Sequence, residues 1–238
     1  MRNIAMQKLP KLIASAAIAL ILACGGFAAP AARATPVLTG TFAADNYAFV
    51  YLSTSASTLG TLIASGTGWS PATTINPTSL LFGTTYYLNI EVINADVGQQ
   101  YSDGGFLGAF FLGTGNFANG SSQLLTGVSG WTGTYNDSNS SDVAQPWVAP
   151  STAVYAEGAN GISPWGSVSG VSGVASWIWS SNGLSGDGAT VPGSQCGACT
   201  IDLQAVIHTA APEPPSWTIM LAGLAGLGVL RFRHARRQ

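Results

Sequence analysis

The segment Tyr86-Tyr87-Leu88-Asn89-Ile90-Glu91-Val92 carries an apolar residue at every second position. Extended backbone points successive side chains to opposite faces, whereas a helix needs apolar spacing of three or four, so this run predicts a strand. Tyr86, Leu88, Ile90 and Val92 are expected to face inward, with Asn89 and Glu91 facing out. The same period recurs near the end of the domain, where Ile201, Leu203, Ala205 and Ile207 alternate with Asp202, Gln204, Val206 and His208. It recurs again where Tyr47, Phe49 and Tyr51 alternate with Ala48, Val50 and Leu52. The run from Phe106 to Leu112 is apolar on both faces, as a central strand would be. Turn residues separate these runs and no long amphipathic helix is present, the pattern of an all-β sandwich or barrel. Abundant Gly, Ser, Thr and Asn disfavour helix interiors, and the interleaved aromatic and β-branched residues supply enough apolar surface to fold.

Charge is segregated along the chain. All eight Lys and Arg residues lie at the ends: Arg2, Lys8, Lys11 and Arg33, then Arg231, Arg233, Arg236 and Arg237. Between Thr35 and Ala211 there are only acidic charges: Asp45, Glu91, Asp96, Asp103, Asp137, Asp142, Glu157, Asp187 and Asp202. Phosphate binding depends on cationic side chains, so this domain is not expected to bind nucleic acid. Lys and Arg are likewise excluded from any catalytic role in it.

The ends read as targeting segments. Arg2, Lys8 and Lys11 precede an apolar run from Leu12 to Ala23, and Ala32-Arg33-Ala34 supplies a small-x-small cleavage pattern. Residues 1–34 are therefore expected to be a signal peptide cut by signal peptidase after Ala34, with cleavage nearer Ala28 or Ala29 as the alternative. Leu22 is too bulky for a good lipobox before Cys24. At the other end, Pro212-Glu213-Pro214 is followed by an apolar Gly- and Leu-rich run from Trp217 to Leu230 and then by Arg231, Arg233, Arg236 and Arg237. At about 1.5 Å per residue that run makes a helix of roughly 20 Å, short for a bilayer and in need of thinning or snorkelling. The arginines act as a transmembrane stop and hold the C-terminus in the cytoplasm.

This order of motif, short span and basic end resembles the PEP-CTERM sorting signal of exopolysaccharide-producing Gram-negative bacteria. The resemblance covers residues 212–238 and implies an exosortase, a membrane-embedded cysteine peptidase, as a partner that cuts at or near the Pro-Glu-Pro motif. The expected route is export, transient inner-membrane anchoring by the tail, and then the cell surface or extracellular matrix.

Residues 35–211 are expected to form one domain. Ala44-Asp45-Asn46-Tyr47-Ala48-Phe49-Val50-Tyr51, Gly83-Thr84-Thr85-Tyr86-Tyr87-Leu88-Asn89-Ile90-Glu91-Val92 and Gly104-Gly105-Phe106-Leu107-Gly108-Ala109-Phe110 together resemble the galactose-binding-like jelly roll. That resemblance implies a jelly-roll β-sandwich and a structural calcium near its loops. Asp45, Asn46, Asn94, Asp96 and Asp103 lie in or beside turns and offer hard oxygen ligands for it. The competing reading makes them solvated acidic turns.

No complete catalytic constellation is present. Cys196-Gly197-Ala198-Cys199 is the only cysteine pair outside the signal peptide, and in an exported setting a disulfide closing a small loop is expected. His208 falls on the outward face of the last strand, and no G-x-S-x-G elbow accompanies it. Trp69 and Trp131 would lie near strand ends, where they could stack on sugar rings, against the default of core packing. Trp177 and Trp179 share a strand face and are expected to pack as a pair. These features point to a non-enzymatic cell-surface or exopolysaccharide-matrix protein with a polysaccharide ligand. The alternatives are a glycan hydrolase using two facing carboxylates across a cleft and an ice-binding protein, against which the irregular threonine pairs Thr73-Thr74 and Thr84-Thr85 argue.

Overall fold

A computed structural model describes residues 34–95, 104–137, 146–179, 199–211 and 223–224. Ala34–Ala211 forms a compact unit by itself. Thirteen strands lie among the described residues: β1 (Val37–Asp45), β2 (Tyr47–Ser53), β3 (Thr61–Thr67), β4 (Thr73–Ser79), β5 (Thr85–Asn94), β6 (Gly105–Leu112), β7 (Asn116–Phe117), β8 (Gln123–Leu125), β9 (Trp131–Asp137), β10 (Thr152–Ala153), β11 (Tyr155–Ala159), β12 (Ser176–Trp179) and β13 (Cys199–His208). Their ladders are antiparallel and form two sheets. The first sheet has the order β11-β12-β6-β1-β4, with β8 also on β6; the second has β10-β9-β13-β5-β2-β3, with β7 also on β13. The expected all-β, two-sheet architecture is the one observed.

The alternation read from the sequence decides which faces meet. Leu38, Phe42, Ile75, Phe106 and Phe110 of the first sheet share one buried core with Val50, Leu88, Ile90, Val92, Ile201, Leu203 and Ile207 of the second. Phe106 stacks on Phe110 with ring centroids 6.3 Å apart and lies 5.9 Å from Phe42, so aromatic surface joins the middle of the first sheet. β6 is central and, apart from the exposed Phe111, buried on both faces, as its composition predicts. Phe106, Phe110 and Leu112 enter the main core, while Leu107 and Ala109 enter a second apolar cluster.

That second cluster lies on the outer face of the first sheet. Trp165, Val168, Val171 and Ala175, from the connection between β11 and β12, cover Ala43, Leu107, Ala109 and Trp177. The side chain of Asn160 clasps this cover: its Nδ2 donates to the Val168 and Val171 carbonyls at 3.0 and 3.1 Å, and its Oδ1 accepts from the Val168 amide at 2.7 Å. Trp165 stacks on Trp177 with centroids 4.4 Å apart. The stack lies against Gly105, where an added Cβ would come within 2.7 Å of the Trp177 ring. Trp177 and Trp179 therefore do not pack as a pair. Ile178 and Trp179 both join the main core, because β12 meets β6 only at Ile178 opposite Phe106 and so loses strict alternation.

No helix among the described residues is long and apolar enough to cross a membrane. The expected signal peptide lies outside the described residues except for Ala34. Pro212, Glu213, Pro214, Arg231, Arg233, Arg236 and Arg237 also lie outside them.

Candidate functional site

The centre of the outer face of the second sheet, at Asn89, Glu91, Asp202 and Gln204, is polar and yet buried. Strand alternation turns Asn89 and Glu91 of β5, and Asp202 and Gln204 of β13, away from the apolar core. In the β5–β13 ladder Asp202 lies directly opposite Glu91, and Gln204 opposite Asn89. Side chains opposed in this way stand about 4.5–5.5 Å apart at Cβ, so the two carboxylates face each other as neighbours. Glu91, Asn89 and Asp202 are nevertheless 0 % exposed. The expectation that Asn89 and Glu91 face outward holds for direction and fails for solvation.

Two chain segments account for the burial. The connection between β2 and β3 lies over Asn89 and Gln204: Asn89 Nδ2 donates to the carbonyls of Thr58 and Leu59 at 2.9 and 3.0 Å, and Gln204 Nε2 donates to Ala56 at 3.0 Å. Gln204 Nε2 also donates to Asn89 Oδ1 at 2.9 Å, tying the strands together through their side chains. From the other side, the Val148 amide donates to Asp202 Oδ2 at 2.8 Å, and Trp147 Nε1 donates to the Ala56 carbonyl at 3.5 Å. These connections satisfy the amides whose burial would otherwise carry a full desolvation penalty.

The carboxylates are less evenly served. Tyr51, diagonal to Glu91 on β2, donates its hydroxyl to Glu91 Oε2 at 3.0 Å. Glu91 Oε1 is buried without a hydrogen-bond partner, as is the hydroxyl of Thr200, two residues before Asp202 on the same face. Burial pushes the Glu91 carboxyl above its ordinary range, and the Tyr51 hydrogen bond works in the opposite direction. Burial, with the Glu91 and Asp202 charges, pushes the Tyr51 phenol up, so Tyr51 stays a donor at neutral pH.

The other candidate residues are dispersed. Asp45 is buried, and its carboxylate accepts from Trp165 Nε1 at 2.9 Å and from Asn46 Nδ2 at 3.0 Å. Asn46 Oδ1 accepts from the Ala95 amide at 2.6 Å, which brings Asn46 to the end of β5 beside Asn94. The Asp45 and Asn46 oxygens thus serve protein donors that fasten the β1–β2 corner. Asp96 and Asp103, the rest of the expected calcium set, lie outside the described residues. Among the described residues no three of His, Cys, Asp and Glu converge as a metal-binding group.

Trp131 is core, correcting the expectation that it could stack on sugars. It is 4 % exposed, its ring lies 5.6 Å from Phe110 and 6.2 Å from Phe106, and its Nε1 donates to the Leu125 carbonyl at 3.0 Å. Trp69 is 41 % exposed, on the connection between β3 and β4. His208 is exposed at the end of β13, with Nδ1 3.3 Å from Thr85 Oγ1. Cys199 is buried and disulfide-bonded, and Cys196, its expected partner, lies outside the described residues. An open groove of about 380 Å3, lined by Leu52, Ser53, Thr61, Ile63, Thr78 and Tyr86, runs along the sandwich edge.

Sequence reasoning identified every carboxylate but singled out neither Glu91 nor Asp202. The usable signal was that both fall on the polar phase of a strand whose other phase is wholly apolar. Their opposition depends on the pairing of β5 with β13, more than a hundred residues apart, which periodicity does not specify. Comparison of the chain with protein-family models, with curated proteins and with solved structures finds no match.

Proposed function

We propose that this chain is an exported, non-enzymatic β-sandwich protein of the cell surface or exopolysaccharide matrix, sorted by its Pro212-Glu213-Pro214 tail and binding polysaccharide through Trp69. The finer form of the fold reading is a galactose-binding-like jelly roll. Signal peptidase and an exosortase are its processing partners. The observation that carries the reading is the confinement of every Lys and Arg to the two terminal segments, which flank a cation-free domain. Cationic ends that bracket apolar runs have a role in membrane insertion and none in a sandwich core.

The non-enzymatic part is supported by the burial of the facing carboxylates. Glu91 and Asp202 are directly opposed neighbours on β5 and β13, which favours a hydrolase using paired carboxylates as the second reading. A sugar must also reach both groups, and the two cover segments leave them no exposed surface. Trp69 supports the polysaccharide reading because it presents an aromatic surface to solvent, suited to stacking on a sugar face.

The test is retention of the protein on the producer's own polysaccharide, with Trp69→Ala run beside it. Retention that falls at least tenfold in Trp69→Ala is expected. Equal retention overturns the role of Trp69, and no retention on any glycan overturns polysaccharide binding. Release of reducing ends from the polysaccharide, lost in Glu91→Gln, would establish the hydrolase.

A further inference from the structure

The sandwich is open along one edge, where β4 ends the first sheet and β3 ends the second. Near the β3–β4 connection the two edge strands close on each other: a Cβ on Gly66 would come within 2.5 Å of Thr73 Oγ1 and 2.9 Å of the Phe42 ring. Farther along, both strands bulge. Val50 and Tyr51 pair with Ala64 and Leu62, which leaves Ile63 as an extra residue in β3. Leu38 and Gly40 pair with Thr78 and Ile75, which leaves Asn76 and Pro77 of β4 opposite Thr39 alone. A bulge bends its strand and interrupts the ladder, so two bulges at one edge hold the sheets apart there. The groove of about 380 Å3 lies at that opening.

Its lining has two chemical characters. Leu52 and Ile63 are partly buried against the main core and, with Tyr86, give an apolar floor. Thr54, Thr61 and Thr78 supply hydroxyls, the first two from exposed positions. Thr78 Oγ1 donates to the Asn76 carbonyl at 3.0 Å and can still accept, whereas the Tyr86 hydroxyl accepts from the Leu81 amide at 3.0 Å and can still donate. No lining residue is charged. The volume falls within the range of about 300–1,000 Å3 usual for small-molecule sites.

We propose that this groove binds one neutral pyranose unit, with a C–H face of the ring on Leu52, Ile63 and Tyr86 and its hydroxyls on the threonine and tyrosine handles. The inference rests on the polysaccharide reading above and adds a second contact to Trp69, which follows β3 at its closed end. Charge decides the class of sugar. A uronic acid or a phosphorylated sugar would meet no cation in the groove, and would enter the field of a domain whose charged side chains are all acidic. A peptide strand is the competing occupant, and both edges are blunted against it. Pro77 has no amide to donate, and the extra Ile63 breaks the register that strand addition would need.

The test follows the methyl resonances of Leu52 and Ile63 in the full chain while the methyl glycosides of glucose, galactose, mannose and rhamnose are added singly, with the methyl glycoside of glucuronic acid as the charged control. Saturable shifts at both residues with at least one neutral glycoside are expected, weakened by about tenfold or more in Thr61→Trp, where an indole fills the groove, and kept in Trp69→Ala. No shift with any of the four, tighter binding of the glucuronic acid glycoside, or equal binding in a folded Thr61→Trp overturns the groove. If Thr61→Trp does not fold, the shifts in the native chain decide. Concentration-dependent dimerisation that moves the same methyls without sugar assigns the groove to a second copy and overturns it. The groove and the polysaccharide reading fail separately. Trp69-dependent retention on the producer's polysaccharide without methyl shifts overturns the groove alone, and methyl shifts without retention keep the groove and overturn polysaccharide binding.

Discussion

Glu91 is a buried carboxyl at the centre of the second sheet, held by the Tyr51 hydroxyl. Its carboxyl is raised by burial, so the folded state binds its proton more tightly than the unfolded state does. Stability is then expected to fall as pH rises from the ordinary carboxylate range through the raised folded value. In that window the unfolded chain has already released the proton that the folded one retains. Glu91→Gln keeps the shape and removes the titration. Urea midpoints measured from pH 4 to pH 8 should decline for the native sequence and be flatter for the variant. Tyr51→Phe tests the same group from the other side, because it leaves Glu91 Oε2 without its donor at 3.0 Å. A buried acceptor stripped of its partner costs about 1–3 kcal/mol, readable as a lower urea midpoint at unchanged slope. The alternation around Glu91 was legible from residues 86–92 alone. Its burial was not, since the segments that cover this part of the sheet dock on its neighbours Asn89, Gln204 and Asp202 through backbone groups of residues 56, 58, 59 and 148 that any sequence could have supplied.

At the scale of elements, the connections matter as much as the strands they join. The β2–β3 connection turns through Gly60, whose φ of +96° is left-handed and whose missing Cβ would overlap the Leu52 carbonyl. Gly60→Ala is expected to destabilise by at least about 1–2 kcal/mol from the handedness alone. Because this connection covers Asn89 and Gln204, amide exchange at the centre of β5 and β13 should quicken in the variant more than exchange in β1 and β6. The β11–β12 connection serves the opposite sheet in apolar form. Trp177→Ala deletes its stack with Trp165, and large-to-small substitution of a buried tryptophan costs about 3–5 kcal/mol. Strands β2, β5 and β13 were legible because each carries a clear phase, and β6 because its run is apolar on both faces. Trp177 was assigned to the wrong neighbour, since its separation from Trp179 follows from the short β12–β6 ladder, and the stacking of Trp165 on it comes from a Gly- and Ser-rich stretch without periodicity.

For the whole molecule, the sandwich and the terminal segments answer different physical demands. The sandwich folds on apolar burial and hydrogen bonds, because a domain whose only charged side chains are acidic has no Lys or Arg to form an internal ion pair. The ends carry the cations and the apolar runs from Leu12 to Ala23 and from Trp217 to Leu230. Two-sheet architecture was readable from alternating runs and turn residues. The strand order was not, because it depends on which distant edges pair. We propose that the ends direct export and are removed, leaving the cation-free domain outside the cell. Mass spectrometry of the mature termini, on protein recovered from the cell envelope and from the medium, tests it most directly. An N-terminus at Thr35 and a C-terminus at or near Pro212-Glu213-Pro214 are expected. Extracellular protein that retains Arg231, Arg233, Arg236 and Arg237 would contradict it.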